Sequence, residues 1–213
     1  MIRFQFDYLS PYAYLAWTQI HALAARHGRT VVAEPTLLAA LLAHGQTKGP
    51  AEIPAKRLWV GKDTLRTARL LGVPLVAPPT HPFNPLTGLR VTLLVDGEDR
   101  RRLVDALFRA TWGGGGGIAT DDQVARVLTE AGFDGPALVA RAGAPGTKLL
   151  LREATERSIA EGVFGVPTMI ADGEAFWGYD AFGHLERFLR GEDSLTPEDL
   201  QRWQDIRPSA VRR

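Results

Sequence analysis

The chain has 213 residues, 45% of them hydrophobic, and 25 basic against 24 acidic side chains give a net charge of +1. This is enough for one large domain, or two small intertwined ones, with a real core, and a charge so near zero argues against nucleic acid or an anionic membrane as an electrostatic partner. Cysteine is absent, which excludes disulfides, thiolate metal sites and any thiol nucleophile of the protein's own.

The chain opens directly on strand-like residues, without a basic region, an apolar run and a small-residue cleavage site. Its longest uninterrupted apolar run, Leu37–Ala43, is far too short to span a membrane. A soluble cytoplasmic protein without a membrane partner is expected.

Ile2, Phe4 and Phe6 predict a first strand. Ser10 stands where a helix N-cap belongs and Pro11 where the first helical residue belongs. The helix should run to about His27, with Ala16, Ile20, Leu23 and Ala24 on one face and Gly28 as its stop. A helix start that carries a hydroxyl can be an ordinary cap. It can also be a place for an anion, which the exposed N–H groups and the dipole favour by about 0.3–1 kcal/mol at the surface.

Thr30–Pro35 predicts a second strand, parallel to the first through the intervening helix. Leu37–His44 predicts a short helix and Gly45–Pro50 a loop. Every periodic segment from there to about Glu161 predicts helix. Arg57–Leu71 places Leu58, Gly61, Leu65 and Ala68 toward one side and stops at Gly72. Asn84-Pro85 is a cap and first turn for Leu86, Leu89 and Leu93. Gly97 interrupts, and Asp99–Trp112 restarts with Leu103, Val104, Leu107 and Phe108. Thr120 and Gln123 form a capping box ahead of Val124, Val127, Leu128 and Ala131, and Gly132 ends that helix. Lys148–Ile159 is the last helix of the block.

The period then changes. Val166–Ala171 predicts a strand, Asp172-Gly173 a tight hairpin turn and Glu174–Trp177 the antiparallel partner. Asp180–Leu189 returns to helix, closing near Gly191, and Thr196-Pro197-Glu198-Asp199 caps a tail helix. The order is βαβ, a long helical insertion, then ββα. This is an α/β protein of thioredoxin-like plan with a large all-helical insertion. Residues 1–44 and 161–213 would form a discontinuous thioredoxin-like domain, and 45–160 the helical one.

Gly113–Gly117 follows a helix and lacks a Lys-Ser/Thr ending, so a turn beside the cleft fits better than a phosphate loop. His21, His27, His44, His81 and His184 have no ligand spacing, and no metal site is expected. Trp59, Phe108, Trp112 and Trp203 are expected in the core.

Three stretches carry a family likeness. Phe6-Asp7-Tyr8-Leu9-Ser10-Pro11-Tyr12-Ala13-Tyr14-Leu15-Ala16 resembles the opening signature of 2-hydroxychromene-2-carboxylate isomerases and kappa-class glutathione transferases. Gly162-Val163-Phe164-Gly165-Val166-Pro167-Thr168 is similar to their second signature, and Phe176-Trp177-Gly178-Tyr179-Asp180 to their third. Pro50–Lys56 and Leu71–Leu75 resemble family segments between them. The likeness covers the chain to about Gly191.

The resemblance implies a glutathione-dependent enzyme, usually a dimer, related to bacterial disulfide oxidoreductases. Those carry Cys-x-x-Cys where this chain has Ser10-Pro11-Tyr12-Ala13. The expected catalytic group is Ser10, donating to a bound thiolate. Ser10, Tyr12, Thr47, Pro54, Val166, Pro167, Tyr179 and Asp180 are the expected glutathione contacts. The Val166-Pro167 bond should be cis and pair with the cysteinyl backbone, and Asp180 should meet the γ-glutamyl ammonium. Lys56 is either a carboxylate contact or a solvated surface lysine. Tyr179, Ala181 and Thr47 depart from the family pattern at their positions. The implied reaction interconverts 2-hydroxychromene-2-carboxylate and a trans-o-hydroxybenzylidenepyruvate-type aromatic keto acid in aromatic catabolism. A kappa-like transferase or peroxidase and a redox-inactive binding module are the alternatives.

Overall fold

The structure, a computed structural model, describes residues 1–207; positions 208–213 of the expected second thioredoxin-like segment lie outside them. The elements run β1 (Ile2–Phe6), α1 (Pro11–Arg26), β2 (Val31–Pro35), α2 (Leu38–His44), α3 (Pro54–Leu71), α4 (Leu86–Thr92), α5 (Gly97–Trp112), α6 (Asp121–Glu130), α7 (Gly135–Ala142), α8 (Pro145–Ala160), β3 (Thr168–Ala171), β4 (Glu174–Trp177), α9 (Phe182–Leu189) and α10 (Pro197–Gln204). One mixed sheet has the order β2-β1-β3-β4. β2 lies parallel to β1 in the register Phe4↔Ala33; β3 is antiparallel to β1 with Phe4↔Met169, and β4 antiparallel to β3. This is the thioredoxin-like α/β fold expected, with helices between β2 and β3. No helix of the described residues is long and apolar enough to cross a membrane.

Alternation along β1 sorts its side chains between two layers. Ile2, Phe4 and Phe6 are fully buried, and Phe4 meets Trp17 of α1 at 5.4 Å while Phe6 meets Phe108 of α5 at 5.3 Å between ring centroids. Such pairs add about 0.5–1.5 kcal/mol each beyond the area they bury. Arg3 and Gln5 face the other way. Arg3 bonds Glu34 at 2.8 Å and Glu161 at 2.9 Å, and the buried Gln5 carbonyl accepts from Thr36 at 2.5 Å and Ser158 of α8 at 2.7 Å. A polar side chain is tolerated there because its partners come with it.

The helix α1 is covered on both sides, so its buried set is wider than one stripe. Ala16, Ile20, Leu23 and Ala24 are buried as expected, and Tyr14 and Trp17 join them. Trp17 Nε1 donates to Asp105 at 2.5 Å, and the Tyr14 hydroxyl to the Pro74 carbonyl at 2.7 Å.

Three expectations need correction. The helix α3 begins at Pro54 rather than Arg57, and of its predicted apolar side only Ala68 is buried; Leu58 is 62% and Leu65 43% exposed. It packs instead along the neighbouring line of Val60, Thr64, Ala68 and Leu71. Trp59 and Trp203 are likewise exposed, whereas Phe108 and Trp112 are buried. The helix α7 had no counterpart among the helices expected between Gly132 and Lys148. Asp134 caps it, accepting from the Ala137 N–H at 3.1 Å, and Pro sits in its first turn, where the missing N–H costs nothing.

The contact of α7 with α6 is very close. A Cβ at Gly135 would stand 2.0 Å from the Ala125 carbonyl oxygen and 2.7 Å from Thr129 Oγ1. Gly135→Ala is therefore expected to destabilise the fold by about 2–3 kcal/mol, the scale of an overpacked interior. Urea unfolding checks this; a midpoint like the wild type's would mean that the two helices can separate freely.

Two turns need glycine. Asp172 and Gly173 both have positive φ, +50° and +91°, as the predicted hairpin turn requires. In Gly113–Gly117, positions 114, 116 and 117 have positive φ, and a Cβ at Gly115 would lie 2.6 Å from Ala110 Cα. This run folds back on the end of α5 beside Val76–Pro79: Val76 N–H donates to the Trp112 carbonyl at 2.7 Å.

Candidate functional site

Between β1 and α1 the chain turns in three residues, Asp7–Leu9, and each is tied to a different part of the fold. Asp7 is fully buried. Its Oδ1 accepts from the Leu9 N–H at 3.0 Å and its Oδ2 from the Leu38 N–H at the start of α2 at 2.9 Å, while its carbonyl accepts from the Ser10 N–H at 3.0 Å. Desolvation pushes the Asp7 carboxyl up to about 6, although the two N–H groups favour its charged form. The Tyr8 hydroxyl pairs with Thr92 at 2.8 Å, and burial raises its pKa. Two successive carbonyls of this turn are then met by rings. Trp112 Nε1 donates to Tyr8 O at 2.9 Å, and His81 Nε2 lies 2.9 Å from Leu9 O.

Ser10 leaves this turn in an extended conformation and caps α1, its Oγ accepting from the Ala13 N–H at 3.1 Å. Its hydroxyl also points at the Val166 carbonyl at 3.4 Å, a long contact that leaves the proton available to a better acceptor. The Val166-Pro167 bond is cis. The Pro167 carbonyl is held by the Gly178 N–H at 2.9 Å, and Thr168 Oγ1 donates to the Gly165 carbonyl at 2.8 Å. Among the described residues no acceptor pairs with the Val166 N–H.

Of the other expected site residues, some gather here and some do not. The Tyr12 hydroxyl donates to Asp63 of α3 at 2.8 Å; burial first, then the Asp63 and Asp180 carboxylates, raise its pKa. Tyr179 and Asp180 lie on a 3-10 turn packed against α1, with Tyr179 half-buried and Asp180 exposed. Burial raises the Tyr179 pKa too. Thr47 is exposed beyond α2, with no side-chain bond to the Ser10 turn. Pro54 lines a shallow apolar concavity with Leu58, Gly61 and Leu65. Helical spacing puts Asp63, and hence Tyr12, on another flank of α3. The site therefore joins Ser10, Tyr12, Val166, Pro167, Tyr179 and Asp180, and leaves Thr47 and Pro54 apart.

Sequence reasoning passed over Asp7 and Asp63, weighed His81 only as a metal ligand, and expected Trp112 in the core, where it lies. Only Asp7 had a signal, a lone carboxylate directly after an apolar strand. The others are brought in from distant segments. On α3, Lys56, Arg57, Lys62, Arg66 and Arg69 are exposed, and none forms an ion pair among the described residues.

Comparisons with known proteins agree with this fold. The chain is 28% identical over 191 residues to 2-hydroxychromene-2-carboxylate isomerase of Sphingobium xenophagum, covering 88% of this chain and 97% of that one. It is 29% identical over 205 residues to glutathione S-transferase kappa 2 of Caenorhabditis elegans, covering 89% and 91%. A solved structure of a 2-hydroxychromene-2-carboxylate isomerase superposes with a TM-score of 0.82 at 28% identity, over 95% of this chain and 98% of that one. The family model described as a DSBA-like thioredoxin domain matches residues 1–190, and the chain belongs to that family.

Proposed function

We propose that the chain is a glutathione-dependent isomerase interconverting 2-hydroxychromene-2-carboxylate and trans-o-hydroxybenzylidenepyruvate-type aromatic keto acids. The observation that carries this reading is Ser10 at the start of α1, facing the Val166 backbone in a chain without cysteine. A site kept in shape without its own sulfur suits a sulfur brought by a ligand.

The donor set fits glutathione. Ser10 offers a weakly engaged hydroxyl, Val166 an unpaired N–H, and Asp180 an exposed carboxylate. Ser10 would donate to the sulfur and the N-terminal N–H groups of α1 would favour its anionic form. Val166 would pair with the peptide backbone as an added strand does, and Asp180 would meet the ammonium. When bound, glutathione supplies a thiolate nucleophile that the chain does not own. The acceptor would lie between the thioredoxin-like part and the helices of residues 45–160, which together would orient it. Lys56 and Arg66, which helical spacing puts on the face of Asp63 and which form no ion pair among the described residues, suit anionic ligands, and both glutathione and an aromatic keto acid are anions.

A kappa-like transferase would use the same site, and equal likeness to the nematode protein supports that second reading. The two differ in whether glutathione is consumed. The isomerase reading expects chromene-carboxylate interconversion with substoichiometric glutathione; consumption of one glutathione per electrophile favours the transferase. Glutathione at 100 times its dissociation constant should raise stability by about 2.7 kcal/mol. No thermal shift at any glutathione concentration would sink both readings and leave a redox-inactive binding module.

A further inference from the structure

We propose that His81 is a proton carrier for this site, taking the hemiketal proton of a 2-hydroxychromene substrate and returning it to the phenolic oxygen as the ring opens. The proposal rests on the isomerase reading above.

The Leu9 carbonyl can only accept, so the His81 nitrogen 2.9 Å from it, Nε2, carries a hydrogen. In the neutral ring that leaves Nδ1 with a lone pair, and Nδ1 has no hydrogen-bond partner among the described residues. The ring is half-buried, edge-on to Trp112 at 5.4 Å and to Phe83 at 6.5 Å, so its plane is held. Its anchor, Leu9 O, belongs to the peptide that leads into Ser10. From Gly72 to Leu89 the chain has no other ionisable side chain. An imidazole alone in that Pro-rich stretch, bonded to the carbonyl just before Ser10, keeps a free lone pair for proton transfer.

Opening the hemiketal breaks the bond between C2 and the ring oxygen. The electron pair of the departing hydroxyl O–H bond forms C2=O, and the C2–O pair leaves on the phenolic oxygen. Direct transfer between those two oxygens would need a four-membered ring. A lone pair that first takes the proton and then gives it back removes that constraint, and the net proton change is zero. Nearby ionisable groups do not compete: Asp7 is turned to Leu9 and Leu38 N–H, Tyr8 to Thr92, and Arg109 of α5 is exposed, none of them bonded to the imidazole.

The test uses His81→Gln, whose amide N–H can keep the bond to Leu9 O without carrying a proton. Chromene opening should fall about 10²-fold in kcat, with KM, melting temperature and calorimetric glutathione affinity unchanged. On cis-benzylidenepyruvate, which has no phenol and cannot cyclise, the variant should match the wild type. Nitrogen-15 spectra of the free wild-type protein should show His81 with its hydrogen on Nε2. Full activity of the variant on the chromene, equal losses on both substrates, or a hydrogen on Nδ1 alone would each overturn the proposal while leaving the isomerase reading intact. Wild-type protein that does not bind glutathione would overturn both.

Discussion

Ser10→Ala is expected to lower turnover about 10²-fold while glutathione affinity falls only a few-fold. The hydroxyl has two separable tasks. As acceptor it caps α1 through the Ala13 N–H, and losing a cap costs about 1 kcal/mol of stability, too little to unfold a protein of ordinary stability. As donor its present contact with Val166 O, at 3.4 Å, is weak, so in the proposed complex the proton can turn to the sulfur. Removing one such donor from an anion in a water-poor site costs about 10²–10³ in rate. The backbone contacts at Val166 and the carboxylate of Asp180 would survive the change, which is why binding should suffer less than turnover. The ultraviolet absorbance of bound thiolate, followed against pH, should show the bound thiol titrating higher in the variant. Turnover equal to that of the wild type would remove Ser10 from the mechanism.

How much of this site was legible follows from where its signals lie. Ser10-Pro11, Asp172-Gly173 and the Thr120/Gln123 box are short-range devices, each complete within four residues, and each takes its expected form. The pairing of Ser10 with Val166 spans 156 positions, and only the family signatures pointed to it. Where two local signals competed, the sequence misled. Leu58 and Leu65 form an apolar line on α3 as regular as the one that is buried, and a helix lying on the surface shows one line to the core and another to solvent. Gly135-Pro136 is a helix start that was passed over, where glycine admits the backbone of α6.

The clamp on the Ser10 turn was not legible at all. His81 and Trp112 reach Leu9 and Tyr8 from segments more than 70 positions away, and the carbonyls they meet belong to the backbone, which leaves no trace in residue type. The polyglycine run illustrates the intermediate case. Composition identified a turn, and the structure adds its purpose: three positive φ angles and a close approach to α5 let the chain pass beside Val76–Pro79, the stretch leading to His81.

Acidification from pH 7 to pH 5 is expected to stabilise the fold through Asp7, against the usual direction. The folded carboxyl titrates at about 6, above its ordinary value of 3.8, because burial disfavours its charge. The native state therefore holds this proton more tightly than the unfolded chain does. Above about pH 6 the fold carries the whole penalty, about 3 kcal/mol for a shift of roughly two units. As the pH falls the penalty shrinks, by about 1 kcal/mol between 7 and 5, and it disappears once the unfolded carboxyl is protonated as well. His21 acts oppositely in the same window: burial lowers its pKa, so its contribution is lost as the pH falls. Glu98, Glu186 and Asp199, held low by hydrogen bonds, lose theirs only at lower pH. The comparison with Asp7→Asn isolates the one group, since every other titration is common to both proteins. The amide cannot accept at both Leu9 and Leu38, so the variant should lose a buried hydrogen bond at every pH, about 1–3 kcal/mol. The decisive quantity is the slope: wild type should gain about 1 kcal/mol on the variant in urea unfolding between pH 7 and pH 5. Parallel stability curves would mean that Asp7 keeps an ordinary carboxylate pKa, and that its two N–H partners offset burial in full.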